Sequence, residues 1–150
     1  MLHALLGLLV GPSPATAPAA TESARTVTLV NYALVGLPAD SGSSTTRDEQ
    51  WTVRNAGPAL HQLLVLRLRD STDLPEVAAW IARGASVLLP PAPIVLNTDA
   101  LLRNESFTQR VRLTPGLYLA LCFVPQGRDA AGEIVDHSHL GMRYTFVVRP

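Results

Sequence analysis

The sequence contains no lysine, and its 12 arginines are balanced by 12 acidic residues, so the formal net charge is zero. A protein that binds nucleic acid needs a surplus of positive charge to neutralise phosphates, and this chain has none. Charged residues make up 16% of the sequence and hydrophobic residues 47%, which is the opposite of a disordered composition. These shortages exclude nucleic acid as a partner and indicate a folded, apolar core.

Cysteine is also scarce: the 150 residues include one, Cys122. An internal disulfide and a four-cysteine zinc site are therefore excluded. The length suits one ordinary domain with a hydrophobic core. We find no internal repeat and no further domain boundary after the N-terminal segment.

Long apolar runs are missing as well. The run Leu2–Val10 is shorter than the roughly 20 residues that a membrane span needs, and it precedes the segment 12–20, which is rich in proline and alanine. This order is typical of a secretory signal peptide followed by a linker, which we predict over residues 1–20. The mature protein is then secreted or periplasmic, without a transmembrane span.

The rest of the chain has the pattern of short strands separated by Gly, Pro, Asn and Ser turns. The predicted strands are Thr26–Val30, with Asn31–Leu34 as an extension, then Trp51–Arg54, Leu60–Arg69, Phe107–Leu113, Leu117–Val124 and Arg143–Val148. No strand–helix unit repeats, so we expect an all-β sandwich rather than a parallel sheet.

One segment has helical spacing instead. Apolar residues recur at Leu74, Val77, Trp80 and Ile81, and the stretch Asp73–Glu76 has the pattern of an N-terminal capping box. We therefore predict one short helix around residues 74–83. It should cover a sheet and bury Trp80.

Residues that bind soft metals are concentrated in the second half of the sequence. Beyond the N-terminal segment these residues are His61, Cys122, His137, His139 and Met142, and four of them lie between positions 122 and 142. Two imidazoles, a thiolate and a weak axial thioether form the ligand set that suits copper in electron-transfer sites.

Three motifs around these residues resemble those of cupredoxins, the plastocyanin and azurin family. They are Asn55-Ala-Gly57 followed by His61, the strand Gly116-Leu-Tyr-Leu-Ala-Leu-Cys122, and the closing stretch His137-Ser-His-Leu-Gly-Met142. The resemblance covers residues 26–149 and implies a two-sheet Greek-key sandwich. It also implies that His61, Cys122 and His137 are the equatorial copper ligands and Met142 the long axial ligand. His139 is a substitute for His137 if the loop packs differently.

The interval between Cys122 and His137 is longer than in plastocyanin-like proteins. Residues 123–136 contain Gly, Pro and charged residues, and they are predicted to form an exposed loop. In this respect the chain also resembles a copper-less or uncharacterised secreted branch of the same superfamily. Strand parity does not decide the matter, because both faces of Leu117–Val124 are apolar.

Two functions follow from these patterns. In the first, the protein is exported, binds one copper ion, and transfers electrons to a redox partner protein or handles copper. In the second, it is a metal-free binding module that uses the loops Asp40–Arg47 and Gln126–Asp136. Enzymatic activity is not expected, because Asp136, His137 and Ser138 are adjacent on the chain and lack the arrangement of a hydrolytic triad. The oligomeric state is left open.

Overall fold

The computed structural model describes residues 23–39, 46–83 and 89–149. The predicted signal peptide and most of the Asp40–Arg47 loop lie outside these ranges. Within them, the chain forms strands β1 (Ser23–Val30), β2 (Ala33–Val35), β3 (Arg47–Asn55), β4 (Leu64–Leu68), β5 (Ile94–Asn97), β6 (Ser106–Leu113), β7 (Gly116–Leu121), β8 (Pro125–Arg128), β9 (Ile134–Asp136) and β10 (Arg143–Val148). One α-helix, α1 (Leu74–Ala82), follows β4 after a 3-10 turn.

The strands form two four-stranded sheets and one hairpin. The first sheet has the order β2-β1-β3-β6, the second has the order β10-β7-β4-β5, and β8 pairs with β9. β1 and β3 are parallel neighbours, and the other pairs are antiparallel. The predicted all-β sandwich with one short helix is confirmed.

The main core lies between the two sheets. Alternate residues of most strands in the two sheets point inward, as expected of strands with one face toward a partner sheet. This core contains Val27, Leu29, Trp51, Val53, Val65, Leu96, Val111, Leu113, Tyr118, Ala120, Cys122, Met142, Phe146 and Val148.

A second core lies on the outer face of the β10-β7-β4-β5 sheet. There α1 packs Val77, Trp80 and Ile81 against alternate leucines of β4 and β7. The ring of Trp80 meets Phe123 edge-on, with 6.0 Å between ring centroids. Trp80 is only 3% exposed, so the prediction that the helix buries it is confirmed.

Several local predictions need correction. Asn31–Leu34 does not extend β1, because the chain turns at Tyr32, where φ is 58°, and β2 pairs back along β1. The predicted strand Leu60–Arg69 is shorter in the structure, where β4 begins at Leu64 and ends at Leu68. β5 was not predicted, and the loop between Cys122 and His137 contains the β8–β9 hairpin.

The predicted capping box at the start of α1 is wrong. Asp73 is the N-cap residue, but its side chain makes no capping hydrogen bond. Its carboxylate instead accepts a bond of 2.7 Å from the backbone N–H of Arg69 and further bonds from the Arg69 guanidinium. The Asp73 carboxylate is therefore bound by Arg69, the residue that directly follows β4, and does not cap the helix.

Among the described residues, no helix is both long and apolar enough to span a membrane.

Candidate metal centre

Two imidazoles and the thiol converge at one end of the sandwich. The Nδ1 atoms of His61 and His137 are 3.0 Å apart, and Cys122 Sγ lies 3.5 Å from His137 Nδ1. The donor atoms of the three residues all lie within 4.8 Å of one another. Each residue is at most 1% exposed. Residues separated by as many as 76 positions are therefore brought to one buried point.

These separations are close to those of ligands around one ion. Three donors placed trigonally about 2 Å from a metal would lie about 3.5 Å from one another. A buried cluster of two imidazole nitrogens and one sulfur also matches the ligand preference of copper. The cluster is consistent with copper in both its dimensions and its chemistry.

His61 is positioned by the buried Asn55 at the end of β3. The Asn55 side-chain NH2 donates to the carbonyls of Ala59 and Leu101 at 2.8 Å each, and its Oδ1 accepts from the N–H of Gly57 at 2.9 Å. The backbone of His61 pairs with Leu101 in an isolated bridge. A single amide side chain thus holds together the turn that carries the histidine.

The other edge of the His61 ring lies against Gly57. A Cβ atom built on Gly57 would lie 2.8 Å from His61 Nε2, which is closer than real Cβ contacts. Nε2 itself is buried and has no hydrogen-bond partner within the described residues. Burial, and after it the repulsion that two protonated imidazoles would experience beside each other, lowers the pKa of His61 and favours the neutral form of the ring.

Cys122 directly follows β7. Its sulfur accepts a hydrogen bond from the backbone N–H of Gln62 at 3.4 Å, and its own N–H donates to the Met142 carbonyl at 3.0 Å. Burial raises the pKa of the Cys122 thiol, so the metal-free site holds a protonated sulfur. Met142 is fully buried beside this segment.

His137 lies in a tight turn organised by Asp136. The Asp136 carboxylate accepts from the backbone N–H groups of Ser138 and His139 and from the Ser138 hydroxyl, the last at 2.6 Å. The His137 N–H donates to the Val124 carbonyl at 3.1 Å. Burial lowers the pKa of His137 more than nearby Asp136 raises it, so this ring is also held neutral.

The structure separates the two candidate histidines of the closing motif. His139 Nδ1 lies 3.0 Å from Asp136 Oδ1, and 42% of its side chain is exposed. His137, not His139, joins His61 and Cys122.

Two further residues contact His137 and were not singled out in the sequence. The Tyr32 ring meets the imidazole edge-on, with centroids 5.6 Å apart, and Gln126 Oε1 lies 2.8 Å from His137 Nε2. Both stand in segments without a recognisable motif, one in a turn and one in the inserted hairpin. No sequence pattern could have assigned them to the centre.

No family model and no curated protein sequence matches the chain. Solved structures do resemble it. Dithionite-reduced auracyanin from the photosynthetic bacterium Roseiflexus castenholzii superposes with a TM-score of 0.56 and 20% identity, over 88% of this chain and 100% of its own. The azurin Az-iso2 from the obligate methylotroph Methylomonas sp. strain J gives 0.55 and 17% identity, over 85% and 98%.

A third similar structure is auracyanin A, a "blue" copper protein from the green thermophilic photosynthetic bacterium Chloroflexus aurantiacus. Its TM-score is 0.53 at 16% identity, over 85% of this chain and 100% of its own. The likeness at this level of identity concerns the fold. Together with the two-sheet topology and the His–Cys–His cluster, it shows that this chain has a cupredoxin-like fold.

Proposed function

We propose that this protein binds one copper ion through His61, Cys122 and His137, with Met142 as a weak axial ligand, and that it transfers single electrons. The observation that carries the proposal is the convergence of two Nδ1 atoms and one sulfur, all buried, within 4.8 Å. We assign this function to a domain formed by residues 26–149.

The residues suit a centre that changes its oxidation state with little movement. When bound, copper would supply the exchange between Cu(II) and Cu(I). Sulfur ligands favour the reduced ion and imidazoles suit the oxidised one. Asn55, Asp136 and the backbone of Gln62 hold the ligands from the surrounding structure, so the protein provides one geometry for both states.

Electron transfer is proposed rather than hydrolysis. Ser138 Oγ donates to Asp136, and His139 Nδ1 contacts the same carboxylate oxygen. A hydrolytic triad instead needs the hydroxyl on one imidazole nitrogen and the carboxylate on the other. The three side chains therefore serve the turn that positions His137.

Titration of the metal-free protein with Cu(II) tests the proposal. We expect one equivalent to bind and to produce an intense visible absorption from thiolate-to-copper charge transfer. The Cys122→Ala variant should lose this absorption because it lacks the sulfur. Bound copper should also raise the thermal midpoint, since a ligand that binds only the folded state stabilises it by mass action.

The two neighbouring histidines provide a matched control. His137→Ala should abolish the coloured species, whereas His139→Ala should retain it, because His139 contacts Asp136 and not the cluster. If copper produces neither colour nor stabilisation, the proposal is wrong and the metal-free binding module replaces it.

We also propose that the protein is exported and meets a redox partner protein. The N-terminal pattern over residues 1–20 supports export. The mass of protein recovered from the extracytoplasmic fraction of an expressing bacterium tests it, because a cleaved chain begins after the Pro/Ala-rich segment. A full-length chain retained in the cytoplasm would contradict export.

Exposed apolar side chains near the centre support contact with a protein partner. Two of these side chains adjoin His61: Leu60 precedes it, and Leu102 follows Leu101, which pairs with it. The other two adjoin His137: the Leu140 N–H donates to its carbonyl, and Tyr32 contacts its ring. We call these four residues the apolar rim.

A further inference from the structure

We propose that Gln126 is a positioning residue of the metal centre, one that selects the tautomer of His137 and keeps Nδ1 directed at the copper position. The inference rests on the proposed function and extends it to a residue of the inserted hairpin. It follows from the backbone of the hairpin, the chemistry of the contact and the burial of the ring.

The backbone of the hairpin is irregular at Gln126. Pro125 pairs with Asp136, but the next pair joins Gly127 to Val135, so Gln126 is an additional residue in its strand. Such a bulge breaks the alternation of side chains and redirects the extra one. The strand beside it leads directly into His137, whose N–H donates to Val124. The bulge therefore occurs where a redirected side chain can reach the imidazole.

The atom that faces the ring assigns the position of the imidazole hydrogen. The Gln126 side-chain oxygen is an acceptor, so His137 Nε2, at 2.8 Å, must carry the hydrogen. In a neutral imidazole the lone pair then belongs to Nδ1. This is the nitrogen that faces His61 and Cys122.

The contact between the two histidines is compatible with this assignment but does not select it. The hydrogen bond between the Nδ1 atoms of His61 and His137 needs one donor and one acceptor. With the hydrogen of His137 on Nε2, its Nδ1 is the acceptor. A hydrogen bond on the non-ligating nitrogen also raises the basicity of a ligand histidine and fixes its ring.

The hairpin contacts a buried ring. His137 is 1% exposed, whereas Gln126 is exposed at the surface. Tyr32 contacts the same ring edge-on. The insertion between Cys122 and His137 therefore contributes a side-chain partner for Nε2 of a buried imidazole.

Three variants test the proposal. Gln126→Leu removes the acceptor and Gln126→Glu retains one. Gln50→Leu makes the same change at an exposed glutamine of β3, in the β2-β1-β3-β6 sheet. The first measurement is the 15N chemical shifts of the His137 ring nitrogens in the metal-free protein, which report the tautomer. We expect a single tautomer, protonated at Nε2, in the wild type, Gln126→Glu and Gln50→Leu, and a mixture in Gln126→Leu.

The second measurement is the copper affinity and reduction potential. We expect Gln126→Leu to bind Cu(II) about 10–100-fold more weakly, as for other residues that support metal ligands. Its potential should rise, because a less basic ligand stabilises Cu(II) less. Gln126→Glu should restore the affinity and lower the potential. A thermal midpoint unchanged in Gln126→Leu would show that these effects are not due to unfolding.

The outcomes separate this inference from the proposed function. If Gln126→Leu keeps the wild-type tautomer and affinity, the role of Gln126 is overturned while copper binding stands. If the tautomer changes in Gln126→Leu but neither the wild type nor any variant binds copper, the proposed function is overturned. The role of Gln126 at a metal centre is then overturned with it.

Discussion

Gly57 leaves the space that the His61 ring occupies. In a Gly57→Ala variant the new methyl group would lie 2.8 Å from Nε2 and 3.2 Å from Cδ2, so the ring must move. We expect weaker copper binding and a changed visible spectrum, because ligand geometry tolerates little displacement. Copper titration followed by absorption measures both.

Gly132→Ala is the control for that variant. A Cβ at Gly132 meets no atom within 4 Å, although its φ of 85° disfavours alanine. It should reduce stability without changing the spectrum. Identical spectra for Gly57→Ala and wild type would contradict the steric argument.

Glu49 is a buried carboxylate remote in sequence from the ligands. Burial acts to raise its pKa, but hydrogen bonds from Arg25 at 2.8 Å and Trp51 at 2.9 Å outweigh burial, so the pKa is lowered. A lowered carboxyl pKa contributes stability above the ordinary value of about 4.3, and this stability is lost as the pH falls through the folded-state value.

We therefore expect the thermal midpoint to fall below about pH 4, and to fall less in Glu49→Gln. The variant should be less stable at neutral pH, because it loses the ion pair with Arg25. Melting curves from pH 2 to 7 measure this, with exposed Asp48→Asn as the control. A Glu49→Gln profile parallel to that of the wild type would contradict the assignment.

At the scale of elements, β7 is covered on both faces. Tyr118, Ala120 and Cys122 point into the core between the sheets, whereas Leu119 and Leu121 pack under α1. This double cover explains why alternation in the sequence could not show which face holds the cysteine. A strand buried on both sides has apolar residues at every position.

Because α1 and the candidate metal centre lie on opposite sides of this strand, we expect stability and copper binding to be separable. Trp80→Ala should cost about 3–5 kcal/mol in the free energy of unfolding, since a large buried ring leaves a cavity. The copper spectrum should remain unchanged. Denaturant unfolding and absorption measure the two effects, and exposed Tyr144→Ala is the control. Loss of the colour in folded Trp80→Ala would contradict the separation.

At the scale of the whole molecule, the residues of the apolar rim adjoin His61 and His137. If partners approach there, a like charge on two contacting copies should slow electron exchange between them, because juxtaposed like charges are costly. We expect Leu102→Glu to slow self-exchange by about tenfold or more at low ionic strength. NMR line broadening in mixtures of the oxidised and reduced protein measures the rate.

The control is Ile94→Glu, which places the same charge on β5 at an exposed position. It should leave the exchange rate close to that of the wild type. Equal slowing by both variants would show a net-charge effect and exclude the rim as the contact surface.

The sequence predicts those features of this protein that depend on residues close together along the chain. The strand β10 and the helix near residues 74–83 were predicted because periodicity and turn residues reflect local burial. Five further strands, β1, β3, β4, β6 and β7, are predicted with shifted ends, and β2, β5, β8 and β9 are not predicted. The capping role of Asp73 was mistaken because its carboxylate binds Arg69 across the turn, a contact that propensity does not include.

The sequence alone predicts the candidate ligand types and their order, His61, Cys122, His137 and Met142, because the chemistry of a side chain belongs to the residue type. The choice of His137 over His139, the burial of both imidazoles and the redirection of Gln126 cannot be predicted in this way. Each depends on distances between residues up to 76 positions apart, which the packing of two sheets and the bulge in one hairpin establish. Those distances arise from close packing of the folded chain, where a side chain's surroundings come from several strands at once.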